Sequence, residues 1–338
     1  MTVPHANKAS LTLGQRHLVC LAYHDVVPDG WSCERLSPSV TSYFVELSRF
    51  RAQMERLAAG STAWSLEQVK QWLADGRRQQ VRSGREKLGL SRRATKAWRP
   101  AVHLTFDDGW SGSVYRAGPV LQELGLSATL FVTTGLVGQP GFVSAKTLRE
   151  LDPNLFQLGA HGHTHRLLNQ LPRSAVRAEL AESKRRLEDW TGRPVDALAL
   201  PGGAGSRDVL ELAAEVGYRY VFGSRPAVNR PGASPLDVAR VAVKRNTRPA
   251  DFERYLQGRL TREAWSRRLR AGLRRLFGHW LYERLRRGCL GEKRGQLEMT
   301  DLLATQLSAG GEVTADSGPA QQDQSVLDGK ERENAGVV

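Results

Sequence analysis

The sequence predicts an α/β chain folded as a distorted or incomplete (β/α) barrel, followed by a basic helical extension and a disordered tail. Three observations carry this. From residue 101 onward, short apolar runs alternate with helical stretches, the pattern of a parallel sheet. With the run at 18–23, seven or eight repeats fit into roughly 230 residues, which suits a closed barrel and leaves an open doubly wound sheet as the alternative. Acidic and histidine clusters fall where the apolar runs end, at the mouth where barrel sites form.

The elements follow in order. A strand is expected at 18–23 (LVCLAY), ending in His24-Asp25 and a turn at Pro28-Asp29-Gly30. A helix is expected over 40–59, a short strand near 61–64 and a helix from 66 to about 74. The basic stretch 76–99 has little periodicity and reads as a loop or irregular insertion. Strands are then expected at 101–106, 128–132, 156–159, 195–200, 218–222 and 238–243. Helices are expected at 114–124, 145–151, 174–190 and 207–216. Neither Gly-x-Gly-x-x-Gly nor a Walker A sequence occurs, which removes the usual dinucleotide and P-loop warrants.

The composition of the 338 residues, 40% hydrophobic and 25% charged, is that of an ordinary globular protein. Three cysteines, Cys20, Cys33 and Cys289, cannot build a disulfide framework. No apolar run approaches a membrane span, and the N-terminus lacks the apolar core of a standard secretory signal, so a cytoplasmic location is expected. The net charge of +14 is segmental. Residues 76–99 hold nine basic and one acidic residue, and 259–294 hold twelve and three. Within 262–287 an apolar stripe (Trp265, Leu269, Leu273, Leu276, Trp280, Leu281) is flanked by arginines. Such a helix can dock on the barrel or lie on an anionic membrane. The tail after Leu297 carries eight acidic and two basic residues and is expected to be disordered from about residue 310. The expected division is an arm at 1–17, a barrel at 18–258 including the 76–99 insertion, the helical extension at 259–297 and the tail at 298–338.

Three clusters carry chemistry. Thr105-Phe106-Asp107-Asp108-Gly109 ends a strand with two acids. Neighbouring strand positions point differently, so one carboxylate can bind a metal while the other handles a proton. His161-Gly162-His163-Thr164-His165 follows a strand. On a helical turn His161 and His165 would share a face, and two imidazoles with one carboxylate make a three-ligand zinc set with an open position. His163 would point elsewhere. Ala199-Leu200-Pro201-Gly202-Gly203-Ala204 runs a strand into a turn whose free N–H groups suit an oxyanion.

In this order the clusters resemble the polysaccharide deacetylase family, the NodB-homology or carbohydrate esterase family 4 group, over roughly 18–245. The Thr-Phe-Asp-Asp-Gly motif is complete at Thr105–Gly109, and His161 and His165 meet the His-x-x-x-His motif. The third motif, usually Arg-x-Pro-Tyr-Gly, reads Ala199-Leu200-Pro201-Gly202-Gly203. Tyr23-His24-Asp25-Val26 is similar to the start of a subgroup in which that early histidine lies in the pocket.

The resemblance implies one divalent metal, Zn²⁺ with Co²⁺, Ni²⁺ or Mn²⁺ as substitutes, on Asp108, His161 and His165. It implies Asp107 as general base and the Gly202 N–H, beside Pro201, at the oxyanion. Ala199 stands where many members carry the arginine that orients the base, and Arg240 is the candidate to replace it. No histidine lies between His165 and His279, so the late histidine that usually supplies the general acid is missing. A closed barrel sets its first and last strands side by side, which makes His24 the replacement acid. Asp25 binds substrate or holds the following turn. Trp110, Trp31 and Tyr23 are candidates for stacking on a sugar ring.

The implied reaction is removal of an N-acetyl group from an amino sugar, giving acetate and a free amine. The expected substrate is an N-acetylated saccharide that is nucleotide-linked or polyprenyl-linked, met in the cytoplasm or at the inner membrane face through 259–294. Two rivals stand beside it. One is a deformylase or other amide hydrolase of the same fold; the other is a catalytically degenerate module that binds glycan or lipid. Nucleic acid is disfavoured, because Trp98 alone supplies an aromatic ring within 76–99.

Overall fold

The computed structural model describes residues 16–83, 99–203, 205–269, 272, 296–299 and 301–302. In chain order these form β1 (Leu18–Tyr23), β2 (Asp25–Val27), α1 (Pro38–Thr41), β3 (Phe44–Glu46), α2 (Leu47–Gly60), β4 (Thr62–Ala63) and α3 (Leu66–Ser83). There follow β5 (Ala101–Phe106), α4 (Gly112–Tyr115), α5 (Ala117–Glu123), β6 (Ala128–Val132), α6 (Ala145–Glu150) and β7 (Phe156–Ala160). The last are α7 (Arg173–Thr191), β8 (Ala197–Ala199), α8 (Arg207–Val216), β9 (Tyr220–Phe222), β10 (Arg240–Ala242) and α9 (Pro249–Leu256).

The main sheet runs β10-β1-β5-β6-β7-β8-β9, every pairing parallel, and β4 pairs with the first two residues of β5. Between β9 and β10 the seam narrows to one parallel bridge, Phe222 to Val238. The sheet is therefore a nearly closed, unsealed barrel rather than an open doubly wound sheet.

Strand alternation divides the core in two. Val19, Leu21, Val102, Leu104, Leu130, Leu158 and Val221 face outward and join a cluster with Phe50 and Met54 of α2, Leu180 and Leu187 of α7 and Leu212 of α8. The other parity turns inward: Leu18, Cys20, Ala101, Phe131, Ala197, Ala199 and Phe222 pack together with Trp64, Leu66, Val69 and Trp72, so α3 and the residues before it plug the barrel. Fully burying each large apolar side chain contributes about 1.5–3 kcal/mol. The inward phenyl ring of Phe131 explains Gly159 in β7, since a Cβ there would lie 2.4 Å from that ring.

Several elements differ from expectation. The single helix over 40–59 is instead α1, β3 and α2, because β3 pairs in parallel with β2 in a separate two-stranded sheet. The apolar spacing runs through Phe44 and Val45 and hides the break. α3 continues to Ser83, so the first part of the basic stretch is helical; the rest, 84–98, lies outside the described residues. Of the basic extension, 261–269 are helical and expose Trp265 and Leu269; 273–295 lie outside the described residues, as does the tail beyond 302. The expected boundary at 297/298 is crossed by ordered chain. Leu297 bridges Leu36, Glu298 accepts from the Ser39 hydroxyl at 2.7 Å, and Met299 is buried with Leu36, Phe44 and Trp110. Among the described residues no helix is long and apolar enough to cross a membrane.

Candidate active site

The site lies at the C-terminal mouth of the barrel, where β1, β5, β7, β8 and β10 end. The β1–β5 register pairs Tyr23 with Phe106, and the Asp107 N–H donates to the Tyr23 carbonyl at 2.9 Å. One step further, His24 and Asp107 stand side by side, followed by Asp25 and Asp108.

Asp108 adopts a left-handed backbone conformation (φ 74°), as does His165 (φ 54°). Such conformations are costly away from glycine and persist where the surroundings impose them. They aim the three side chains at one point. Asp108 Oδ1 lies 3.4 Å from His161 Nε2 and 3.2 Å from His165 Nε2. The three ligand atoms fall within 4.8 Å of one another. The histidines do not share a helical turn as expected; the chain bends through Gly162 and His165 to bring both rings in.

Three details show that a divalent cation fits here. Asp108 Oδ1 is buried without a hydrogen-bond partner, which is costly unless a cation satisfies it. Trp110 donates its indole N–H to the other oxygen, Oδ2, at 3.0 Å and leaves Oδ1 to the imidazoles. His161 Nδ1 sits 2.9 Å from the Ala199 carbonyl, which can only accept, so the proton is on Nδ1 and the Nε2 lone pair faces the site. Burial opposes charge on Asp108, but His165, His24 and His161 outweigh it and hold the carboxyl well below its ordinary range. Burial pushes the His161 ring down to about 4, toward the neutral form a metal needs.

Asp107 is held by Arg240. The guanidinium makes a two-point ion pair, Nη1 to Oδ1 at 2.6 Å and Nη2 to Oδ2 at 2.8 Å. It also donates to the Thr105 hydroxyl and the Gly223 carbonyl and lies over the Phe131 ring. Burial acts to raise the Asp107 carboxyl, and Arg240 more than reverses it. β10 pairs with β1, and Arg240 takes the inward parity at Cys20. Arg240 therefore contacts Asp107 from inside the barrel and is not a substrate contact.

His24 belongs to the same cluster. Its Nδ1 is buried without a partner, and its ring lies 4.5 Å from the Tyr43 ring. Burial lowers its pKa, while Asp108 and Asp107 oppose that shift.

Two other expectations, for Trp110 and Tyr23, need correction, and for Asp25 the structure favours the second of its two alternatives. Trp110 is 2% exposed, stacked on Phe142 with ring centroids 4.0 Å apart and edge-on to Phe44, so no sugar can reach its face. Tyr23 is fully buried between Phe50 and Phe106, and its hydroxyl donates to Gln53. Asp25 is buried, its carboxyl raised to about 7 by desolvation against Arg116 and the N–H groups of Val26 and Gly112. It holds the turn and the start of α4, and a Cβ at Gly112 would fall 2.4 Å from it. Trp31 packs its ring against Phe44.

Pro201 and Gly202 sit beside the histidine loop. A Cβ on Gly162 would touch Pro201, and one on Gly202 would meet Leu167 at 2.5 Å. Gly202 is exposed and left-handed (φ 62°). His163 turns away, its Nδ1 2.9 Å from the Thr134 hydroxyl. Glu179 of α7, unmarked in the sequence, accepts the N–H groups of His163 and Thr164 and the Thr164 hydroxyl, fixing the loop that carries His165. Its one sequence signal is a carboxylate facing the loop from a long helix, indistinguishable there from its acidic neighbours.

Comparison with known proteins agrees with this architecture. The family model for polysaccharide deacetylase matches residues 95–221. YxkH of Bacillus subtilis (strain 168), provisionally named a polysaccharide deacetylase, is 25% identical over 174 residues, 52% of this chain and 60% of that protein. YheN of the same organism, similarly named, is 32% identical over 105 residues, 30% of this chain and 36% of that protein. The chain thus spans less than two thirds of either relative. The structure of IcaB from Ammonifex degensii superposes with a TM-score of 0.56 at 24% identity, covering 72% of this chain and 97% of that one. The Streptococcus pyogenes deacetylase PplD gives 0.55 at 21% identity, covering 72% and 99%. Those two likenesses speak to the barrel, while the family-model match includes Asp107, Asp108, His161 and His165. The chain is thus similar to polysaccharide deacetylases, through the family model over residues 95–221 and through two relatives over part of their length.

Proposed function

We propose that the chain is a metal-dependent carbohydrate N-deacetylase, hydrolysing the N-acetyl group of an amino sugar in a glycan or glycan precursor. One observation carries the reading: the unpartnered Oδ1 of Asp108 faces two imidazole nitrogens directly beside a second carboxylate, Asp107, locked by Arg240. A divalent ion on Asp108, His161 and His165, Zn²⁺ by the character of the donors, would supply Lewis acidity toward the amide carbonyl and water.

The remaining work falls to the chain. Asp107, kept ionised by Arg240, removes the proton of the attacking water as its oxygen adds to the carbonyl carbon. The Gly202 N–H is the candidate donor to the oxyanion. The C–N bond then breaks, and His24 in its imidazolium form, which Asp107 and Asp108 favour and burial opposes, protonates the departing nitrogen. Acetate and a free amino sugar result.

We assign the reaction to the cytoplasm or its membrane face. The helix at 261–269 supports this reading by exposing Trp265 and Leu269 beside Arg268, a combination suited to an anionic lipid surface.

The test is acetate release from a short N-acetylglucosamine oligomer and from an N-acetylated sugar nucleotide. Protein stripped of metal and reloaded with Zn²⁺ or Co²⁺ is compared with Asp108→Ala. Metal-dependent release that disappears in the variant is expected. Formate release from N-formyl substrates alone would make the chain a deformylase, and no metal uptake would favour the degenerate binding module.

A further inference from the structure

We propose that Lys244 is a specificity-determining residue that receives a phosphate group carried by the substrate. The inference rests on the deacetylase reading above and names the class of amino sugar that the site selects.

The placement follows from register. β1 and β10 pair Cys20 with Arg240 and Ala22 with Ala242, and the Val243 N–H continues the ladder by donating to the Ala22 carbonyl at 2.9 Å. Two residues beyond the last pair, His24 and Lys244 are lateral neighbours. Both continue the parity that turns Cys20 and Arg240 into the barrel. Lys244 is thus the next charged position above Arg240 on the same strand face, at the mouth rather than below it.

Its surroundings leave the charge available. The Lys244 ammonium lies 4.8 Å from the centre of the Tyr43 ring, and the same ring stands 4.5 Å from His24. Tyr43 therefore joins the cation to the proposed acid. Among the described residues no carboxylate lies within ion-pair distance of Lys244. The neighbouring cations are engaged: Arg240 with Asp107, and Arg245 with Glu46 and the Trp31 carbonyl. The backbone around Lys244 is fixed, its N–H donating to the Thr247 hydroxyl at 2.8 Å and the Arg245 N–H to the Ser42 carbonyl at 2.9 Å.

A half-buried ammonium on an aromatic face, with three donors and no carboxylate, suits a phosphate ester. An amino sugar whose acylated nitrogen meets the metal triad would place a phosphate of the same molecule within reach of this corner. The recognised chemistry is a phosphorylated amino sugar, and the site discriminates it from the neutral sugar.

The test compares N-acetylglucosamine 1-phosphate with the uncharged methyl glycoside of N-acetylglucosamine, on metal-loaded wild type, Lys244→Met and Lys244→Arg. Wild type should favour the phosphorylated sugar in kcat/KM. Lys244→Met should reduce that preference about tenfold through KM, the size of one charge-assisted hydrogen bond. Lys244→Arg should keep most of it. A preference that Lys244→Met leaves intact, or no preference in wild type, overturns the assignment. If wild type turns over neither sugar, the deacetylase reading fails separately. Calorimetric titration with N-acetylglucosamine 1-phosphate, and with inorganic phosphate alone, then decides the Lys244 question. Weaker binding of the sugar phosphate to Lys244→Met supports it, and equal binding refutes it. Equal affinity for inorganic phosphate and the sugar phosphate shows an ion site with no sugar selectivity and also refutes it.

Discussion

Arg240 and Asp107 stand 133 residues apart in the chain and meet as a two-point ion pair just inside the barrel mouth. Both side chains are almost fully buried. In that setting a guanidinium fork does more than neutralise charge: it fixes the plane of the carboxylate.

Replacement of Arg240 should therefore separate charge from geometry. Arg240→Lys keeps the charge and loses the fork; turnover should fall about 10²-fold, within the range of a misplaced general base, while metal uptake is retained. Arg240→Ala leaves a buried carboxylate uncompensated and should cost about 3–5 kcal/mol of stability as well. Steady-state kinetics with metal quantified per chain, alongside denaturant unfolding, distinguish the two. Turnover of Arg240→Lys within threefold of wild type would show that the fork is unnecessary. Asp107→Asn provides the reference, with metal retained and turnover largely abolished.

Trp110 supports the metal site rather than the sugar. Its indole N–H occupies Asp108 Oδ2, and its ring is covered by Phe142 and Phe44. Trp110→Phe keeps an aromatic ring in that cluster and removes the N–H. The affinity for Zn²⁺ should drop about 10–100-fold, the usual effect of losing a partner that orients a ligand. Competition with a chromogenic chelator measures this. An unchanged affinity would mean that Asp108 is oriented by its backbone conformation alone.

How much of this was legible depends on where each signal resides. β1, β5 and β6 are readable to the residue because central parallel strands, buried on both faces, appear as unbroken apolar runs. β2 and β3 are three residues each, too short to show a period, and β3 splits a helical pattern that looked continuous. The ligand triad was legible as motifs, since each motif is local and only the contacts of Asp108 with His161 and His165 are long-range. The conformation that joins His161 to His165 was not, because left-handed backbone at a histidine is imposed by the surroundings. Arg240 could be nominated but not placed: its role depends on barrel closure and inward parity. Trp110 and Tyr23 were misread for one reason. An aromatic next to a catalytic motif looks the same in sequence whether its ring faces a ligand or another ring.

The inward parity also buries a histidine that has no part in the proposed reaction, and it should shape the acid stability of the protein. His103 of β5 is fully buried, its Nδ1 2.8 Å from the Trp64 carbonyl and its Nε2 3.1 Å from the Thr129 hydroxyl. Desolvation lowers its pKa to about 4, although the Trp64 carbonyl acts to raise it. In the unfolded chain the ring titrates near its ordinary value of about 6.5. Between these two values the unfolded state binds a proton that the folded state does not, so stability rises with pH across that window. The contribution is fully present above about pH 6.5 and is lost as pH falls toward 4, amounting to about 3 kcal/mol. His103→Gln retains hydrogen-bonding capacity and does not titrate. Urea unfolding of both proteins in chelator at pH 7 and pH 4 should show wild type losing about 3 kcal/mol more than the variant across that interval. Equal losses in the two proteins would mean that His103 accepts its proton without leaving the folded state, and that acid sensitivity arises elsewhere in the barrel.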